Sequence, residues 1–293
     1  MNIVPGKTRV GFMGLGVMGK SMARHILKAA YELHVYTRTK SSADELIAQG
    51  AIWEDSVKDI SEKSDVIITM LGFPSDVEEV YLSEKGILAN ASQGSLIIDM
   101  TTSTPDLALT IYEKAKAAGI EALDAPVSGG DVGARNAALT IMVGGDEKSF
   151  EKAMPLFEVM GNNLVLQGGP GAGQHTKTAN QMAIAAGLIA VCESIAYAKK
   201  AGLDPVKVLK STGTGSAGSW ALNNLGPRII AGDMKPGFYI KHFIKDMKIA
   251  ANSSEKLKLE TPGLKLALSL YEKLAEQGYE DAGVQALYKL FES

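Results

Sequence analysis

Short apolar runs rich in β-branched residues recur along the first half of the chain: "RVGFM", "ELHVY", "DVIITM", "SLIID", "EALD", "LTIMV" and "NLVL". Amphipathic stretches separate most of them. Strands and helices alternating in this order predict an α/β fold with a doubly wound, mainly parallel sheet and right-handed crossovers. Several runs are apolar throughout instead of alternating, which predicts helices on both faces of the sheet. From Gly173 the pattern changes. Helical periodicity predicts segments over Lys177–Ala201, Pro205–Ser211, Ser219–Ala231, Asp246–Leu257, Gly263–Gln277 and Gly283–Phe291, hence an all-helical second domain. "GGPGAG" interrupts both periods near Pro170, dividing the chain into domains of residues 1–170 and 171–293.

Composition adds exclusions. The 293 residues, 46% of them hydrophobic, suffice to fill the cores of two domains. A formal charge of −3 gives no basic field for a phosphate backbone, so no nucleic-acid partner is expected. The single cysteine, Cys192, lies among apolar neighbours and reads as a buried thiol in a reducing compartment. "MNIVPGKTR" lacks the layout of a secretory signal, and the longest apolar run, Met182 to Cys192, is short for a bilayer. A cytoplasmic protein with no membrane partner is expected. His25, His34, His175 and His242 do not pair at metal-ligand spacing, so no metal is expected either. His175 reads as a surface residue at a helix start.

The first chemical signal is "VGFMGLGVMGKSMARHIL", where Gly14, Gly16 and Gly19 form G-x-G-x-x-G between a predicted strand and helix. The first glycine permits a tight turn, the second lets backbone amides approach a pyrophosphate, and the third lets helix and strand pack closely. Leu15, Val17 and Met18 complete the loop, whose helix N-terminus favours a phosphate. A dinucleotide site is expected here. About twenty residues on, a site for NAD usually has an acidic residue; "HVYTRTKSS" offers Arg38, Thr39 and Lys40 instead. A guanidinium grips a 2′-phosphate that a carboxylate would repel, so NADP is expected through Arg38 and the Thr39 hydroxyl, with NAD as the alternative.

In "LDAPVSGGDVG", Asp124 ends a strand and residues 126–130 read as a loop at the strands' C-terminal edge, where ligands bind in such sheets. Ser128 with the amides of Gly129 and Gly130 offers donors suited to a carboxylate, although the stretch alone also reads as a plain turn. Further on, Lys177, Asn180 and Gln181 are spaced to share one face of an otherwise apolar helix. A lysine held in a partly dry site can give a proton to a carbonyl oxygen and recover it in reverse.

"GFMGLGVMG", "DMTTSTP", "DAPVSGG", "GPGAGQHTKTAN" and "FIKDMKIA" occur in the order and at about the spacing found in the β-hydroxyacid dehydrogenases, and over almost its whole length the chain resembles that family. The group includes 3-hydroxyisobutyrate dehydrogenase and the tartronate, glyoxylate and succinic semialdehyde reductases. The resemblance implies a Rossmann-type domain, an all-helical substrate and oligomerisation domain, an active site in the cleft between them, and homodimers or homotetramers. It implies that Lys177 is the catalytic lysine and that Thr102, with Thr101 beside it, faces the nicotinamide. It further implies that Lys245, oriented by Asp246, reaches coenzyme or substrate. The family often has asparagine four residues past the lysine; here Gln181 stands there and Asn180 precedes it, and Asn180 is favoured as the carboxylate ligand. Thr104 or Ser103 before Pro105 doubles as a helix cap. Trp220 suits the core better than an aromatic wall over a substrate.

The expected substrate is a small carboxylate, either a short semialdehyde reduced with NADPH or a 3-hydroxyisobutyrate- or serine-type acid oxidised with NAD. A non-catalytic NADP sensor is the alternative from another class, disfavoured by Lys177. A 6-phosphogluconate dehydrogenase is disfavoured by the short chain, and imine reductases usually replace this lysine.

Overall fold

The computed structural model describes residues 2–292. Two compact units follow one another, the first extending to Lys177 and the second beginning at Thr178.

The strands of the first unit are β1 (Arg9–Met13), β2 (Glu32–Tyr36), β3 (Ile52–Trp53), β4 (Val66–Thr69), β5 (Leu96–Asp99), β6 (Glu121–Asp124), β7 (Val127–Ser128), β8 (Leu139–Gly145) and β9 (Gly161–Gly168). Among the described residues they form one sheet in the order β3-β2-β1-β4-β5-β6-β8, with β7 and β9 also pairing β8. The first six are mutually parallel, β8 is antiparallel to β6 and β7, and β9 is parallel to β8. All seven strands predicted from the apolar runs are present. Val66 and Ile68 of β4 pack into one core and Ile67 into another, which is why such strands are apolar at every position.

Between the strands lie α1 (Gly19–Lys28), α2 (Asp44–Ala48), α3 (Val57–Lys63), α4 (Pro74–Leu82), α5 (Ile87–Asn90), α6 (Pro105–Ala117), α7 (Gly130–Arg135) and α8 (Glu147–Phe157). The Thr104 hydroxyl caps α6 by accepting the Leu107 amide at 3.2 Å, with Pro105 in the first turn.

Residues 126–130 are not wholly a loop. Val127 and Ser128 pair with Ile141 and Thr140 of β8, continuing the register in which Leu123 and Asp124 pair with Gly145 and Gly144. The Pro126 carbonyl accepts the Met142 amide at 3.0 Å, so the strand direction survives a residue that has no amide to donate. The chain turns only at Gly129 and Gly130, with φ of 127° and 61°.

Helix α9 (Ala172–Lys200) starts in the first unit and continues into the second. By length and composition it would suffice to cross a membrane, but Leu188, Cys192 and Ile195, three and four apart, pack into the helical core. Burial pushes the Cys192 thiol up to about 12 and leaves it unreactive.

The helices α10 (Pro205–Thr212), α11 (Trp220–Asn224), α12 (Gly226–Ile230), α13 (Ile240–Lys256) and α14 (Pro262–Leu274) follow. A π turn over Ala275–Tyr279 and a 3-10 segment over Val284–Phe291 end the unit. The helical unit departs from its sequence pattern in several places, its last predicted helix being the 3-10 segment. The helix predicted over Ser219–Ala231 is two, because Pro227 cannot continue the ladder of α11. Helix α13 begins at Ile240 instead of Asp246, since Ile240, Phe243 and Met247 already share its buried face. Trp220 is 60% exposed on α11 and is not a core residue.

Candidate active site

The glycine loop has a different steric environment at each glycine. At Gly14, where φ is 95°, an added Cβ would strike the Met70 carbonyl, and at Gly19 it would strike the Gly14 carbonyl. At Gly16 it would meet nothing within 4 Å. The outer glycines are therefore required by the fold, and the middle one leaves open space beside the start of α1. Among the described residues no side chain caps that start and no acidic residue occupies its first turn. The Lys20 and Ser21 amides are given to the Gly16 and Met18 carbonyls, so a pyrophosphate would rest on the positive end of α1 and on the glycine loop itself, lined by Leu15, Val17 and Met18. Gly16→Ala is expected to leave the melting temperature unchanged and weaken NADPH binding about tenfold, roughly 1.4 kcal/mol, measured by coenzyme fluorescence titration.

Arg38 extends from the end of β2 with its side chain 80% exposed, and its Nη1 lies 3.2 Å from Asp76 Oδ1. Thr39 is exposed beside it, while the Lys40 ammonium sits 4.9 Å from the centre of the Trp53 ring. Arg38 and Thr39 are thus displayed on the surface, and Lys40 is engaged elsewhere.

At the C-terminal edge of the parallel strands, three neighbouring strands end in polar residues: Thr69, Asp99 and Asp124 are successive register partners. All three are buried. The Tyr81 hydroxyl and Thr69 Oγ1 are 2.8 Å apart, and Thr69 donates to Asp99 Oδ1 at 2.8 Å. The same Asp99 oxygen accepts the Thr101 amide at 3.0 Å, and the Thr101 hydroxyl accepts the Leu71 amide at 2.8 Å. Burial first, then Asp99, pushes the Tyr81 hydroxyl well above its ordinary range. Asp124 fastens the start of α9: its Oδ1 accepts the Gly171 amide and its Oδ2 the Gln174 amide, each at 2.8 Å. Burial pushes its carboxyl up to about 6; the backbone amides oppose this, and Asp99 adds to it.

Helix α9 reaches so close because Gly173 has no side chain; a Cβ there would meet the Met142 and Asp124 carbonyls. Gln174 then bridges to the turn after β5, accepting the Ser103 amide at 2.9 Å and donating to the Thr101 carbonyl at 2.8 Å. Thr102, half-buried, lies between these two anchored residues. One turn along α9, Lys177 is only 7% exposed, whereas His175 faces solvent as expected. Ser128, half-buried, lies four residues past Asp124 in the same register, so strand alternation puts both on one face. The network of Thr69, Tyr81, Asp99 and Gln174 goes beyond what the sequence motifs predict. Its one sequence signal is the polar residue closing each of "VIIT" and "LIID".

In the second unit, the half-buried Asn180 donates to Gln181 Oε1 at 2.8 Å, and Gln181 Nε2 donates to Asp246 Oδ2 at 2.7 Å. Lys245 Nζ is 2.9 Å from Asp246 Oδ1, with the lysine side chain 12% exposed. Gln181 is buried with both ends of its amide engaged, leaving Asn180 as the more accessible amide. Lys245 is held by its neighbour, not loose in solvent.

A Rossmann-type sheet, a glycine loop at its first crossover and a buried lysine near its C-terminal edge define an oxidoreductase using a nicotinamide dinucleotide. Residues 9–169 match the model for the NAD binding domain of 6-phosphogluconate dehydrogenase. Residues 171–291 match that for the NAD-binding domain of NADP-dependent 3-hydroxyisobutyrate dehydrogenase. The chain is 59% identical to an uncharacterized oxidoreductase of Bacillus subtilis, covering 97% of this chain and 99% of that one. It is 45% identical to a probable mitochondrial 3-hydroxyisobutyrate dehydrogenase-like protein of Arabidopsis thaliana, covering 97% and 85%. The solved structure of Mycobacterium tuberculosis 3-hydroxyisobutyrate dehydrogenase with L-serine superposes with a TM-score of 0.89 at 30% identity, covering 98% and 99%. The chain belongs to the β-hydroxyacid dehydrogenase family and is an NAD(P)-dependent hydroxyacid dehydrogenase.

Proposed function

We propose that this enzyme interconverts a short semialdehyde and its 3-hydroxy acid with NADP, using Lys177 as the group that moves the proton. The coenzyme, when bound, supplies or accepts the hydride. Lys177 carries the reading: a lysine 7% exposed, one turn into the helix that Asp124 pins to the strand ends, is an unusual use of the most solvent-seeking side chain. It delivers its proton to the carbonyl oxygen as hydride arrives and recovers it in reverse. Ser128 and the amides of Gly129 and Gly130 orient the substrate carboxylate. Asn180 adds a donor, having a second amide hydrogen beyond the one given to Gln181. Thr102 faces the nicotinamide, and Lys245, steadied by Asp246, supplies a further cation toward coenzyme or substrate.

A panel of short semialdehydes and hydroxy acids, assayed with both coenzymes, tests the reading. A chain with no substrate-dependent absorbance change on the whole panel would be a coenzyme-binding sensor instead. The preference for NADP rests on Arg38, a displayed guanidinium where an NAD site has a carboxylate. Arg38→Asp is expected to raise the Kd for NADPH by about 10- to 100-fold, roughly 1.4–2.8 kcal/mol, while NADH binding holds or improves. Equal losses for the two coenzymes would remove Arg38 from the 2′-phosphate site. The second reading is oxidation of a 3-hydroxyisobutyrate- or serine-type acid with NAD, and it is supported by the mycobacterial relative, whose structure was solved with L-serine.

A further inference from the structure

The turn carrying Thr102 is gripped by a side chain from a distant part of the chain. Gln174 is 1% exposed and uses both ends of its amide on that turn, one on the Thr101 carbonyl and one on the Ser103 amide. Its own backbone amide is held by Asp124, and Asp99 holds the turn from the other side through the Thr101 amide. The backbone on both sides of Thr102 is thus fixed. Gln174 also precedes Lys177 by three residues, so the two share a face of α9. A two-point grip on one carbonyl and one amide needs a donor and an acceptor side by side. A carboxamide has both; an ionised carboxylate lacks the donor and a thioether lacks a strong donor or acceptor.

We propose that Gln174 is a positioning residue: it sets Thr102 toward the nicotinamide and ties that turn to the helix turn bearing Lys177, so that proton donor and coenzyme-facing turn hold one geometry. This rests on the roles proposed above for Lys177 and Thr102. Misplacing either by an ångström is expected to slow turnover on the order of 10- to 100-fold with little change in dinucleotide affinity.

The test uses the full chain as wild type, Gln174→Met and Gln174→Glu. In the coenzyme-free protein, the Ser103 amide should exchange with solvent at least about tenfold faster in Gln174→Met, while the slowest core amides keep their rates. With NADPH, Gln174→Met should keep its Kd within about threefold but change the emission of the bound nicotinamide. With succinic semialdehyde as probe, kcat should fall and the isotope effect from 4-deuterated NADPH should rise.

Gln174→Glu supplies the rescue. A neutral glutamic acid can make both hydrogen bonds and an ionised one cannot, so its turnover relative to wild type should recover as pH falls toward about 5. Asp124, which accepts the residue-174 backbone amide, titrates in the same range and is coupled to a carboxyl introduced there, so the ratio is also taken with Asp124→Asn in both proteins, where of the two only the introduced carboxyl titrates. Unchanged Ser103 exchange, wild-type nicotinamide emission together with wild-type turnover, or a pH-independent Glu-to-wild-type ratio would each overturn the proposal. If wild type fails to reduce the probe, the functional reading fails there, and the exchange and emission measurements still decide the role of Gln174.

Discussion

Lys177→Met is expected to lose most turnover, on the order of 10²- to 10⁴-fold in kcat, the usual contribution of a positioned general acid. Methionine matches the length and apolar stem of lysine at a site that is 7% exposed, so the packing of its stem is kept, and a urea unfolding curve of the variant checks that the fold is retained. NADPH affinity should stay within about threefold, because the dinucleotide loop and Arg38 are untouched. Lys177→Arg separates charge from proton transfer: arginine keeps the positive charge but does not release a proton at working pH, so it should not restore activity. The measurement is steady-state turnover beside coenzyme titration. Wild-type kcat in the methionine variant would remove Lys177 from the chemistry, whatever the substrate.

A second large effect concerns stability and pH. The Asp124 carboxyl is raised to about 6 in the folded chain from an ordinary 3.8, so the folded state holds its proton more tightly than the unfolded state does. Its favourable contribution is therefore fully present below about pH 4 and lost as pH rises through about 6. The shift corresponds to about 3 kcal/mol. Urea unfolding of wild type and Asp124→Asn at pH 4 and pH 7 checks this, since asparagine does not titrate. The wild type's advantage should shrink by roughly that amount at the higher pH. Asp124→Ala should be destabilised at both, because the Gly171 and Gln174 amides lose their acceptor, at about 1–3 kcal/mol for each buried donor left unpaired. A difference that grows with pH would mean that the two amides outweigh burial and hold the carboxyl down.

Most of the sheet could be read in advance because strands covered on both faces are apolar at every position, a signal that needs no partner to be recognised. β3 and β7 escaped because each is two residues long, and Pro126 disguised β7 as a turn. The break at Pro227 was legible and was overridden by the surrounding periodicity. The glycine loop was readable down to single residues, since each glycine answers a local steric demand. The Gln174 grip was not, because its partners are backbone atoms some seventy residues earlier, and backbone atoms leave no trace in side-chain identity. Asp99 and Asp124 showed as strand ends, but nothing local marks one as the acceptor for a threonine and the other as the acceptor for a helix start. Asn180 and Gln181 could not be told apart by spacing for a related reason: which amide is engaged depends on Asp246.

The unbroken register from Leu123 through Ser128 constrains how relatives of this enzyme can diverge. Adding or deleting one residue between Asp124 and Ser128 would turn the serine to the opposite side of the sheet. Loop-length variation, the usual route by which scaffolds acquire new ligands, is closed in this stretch, and changes of preferred acid should come by side-chain exchange at constant length.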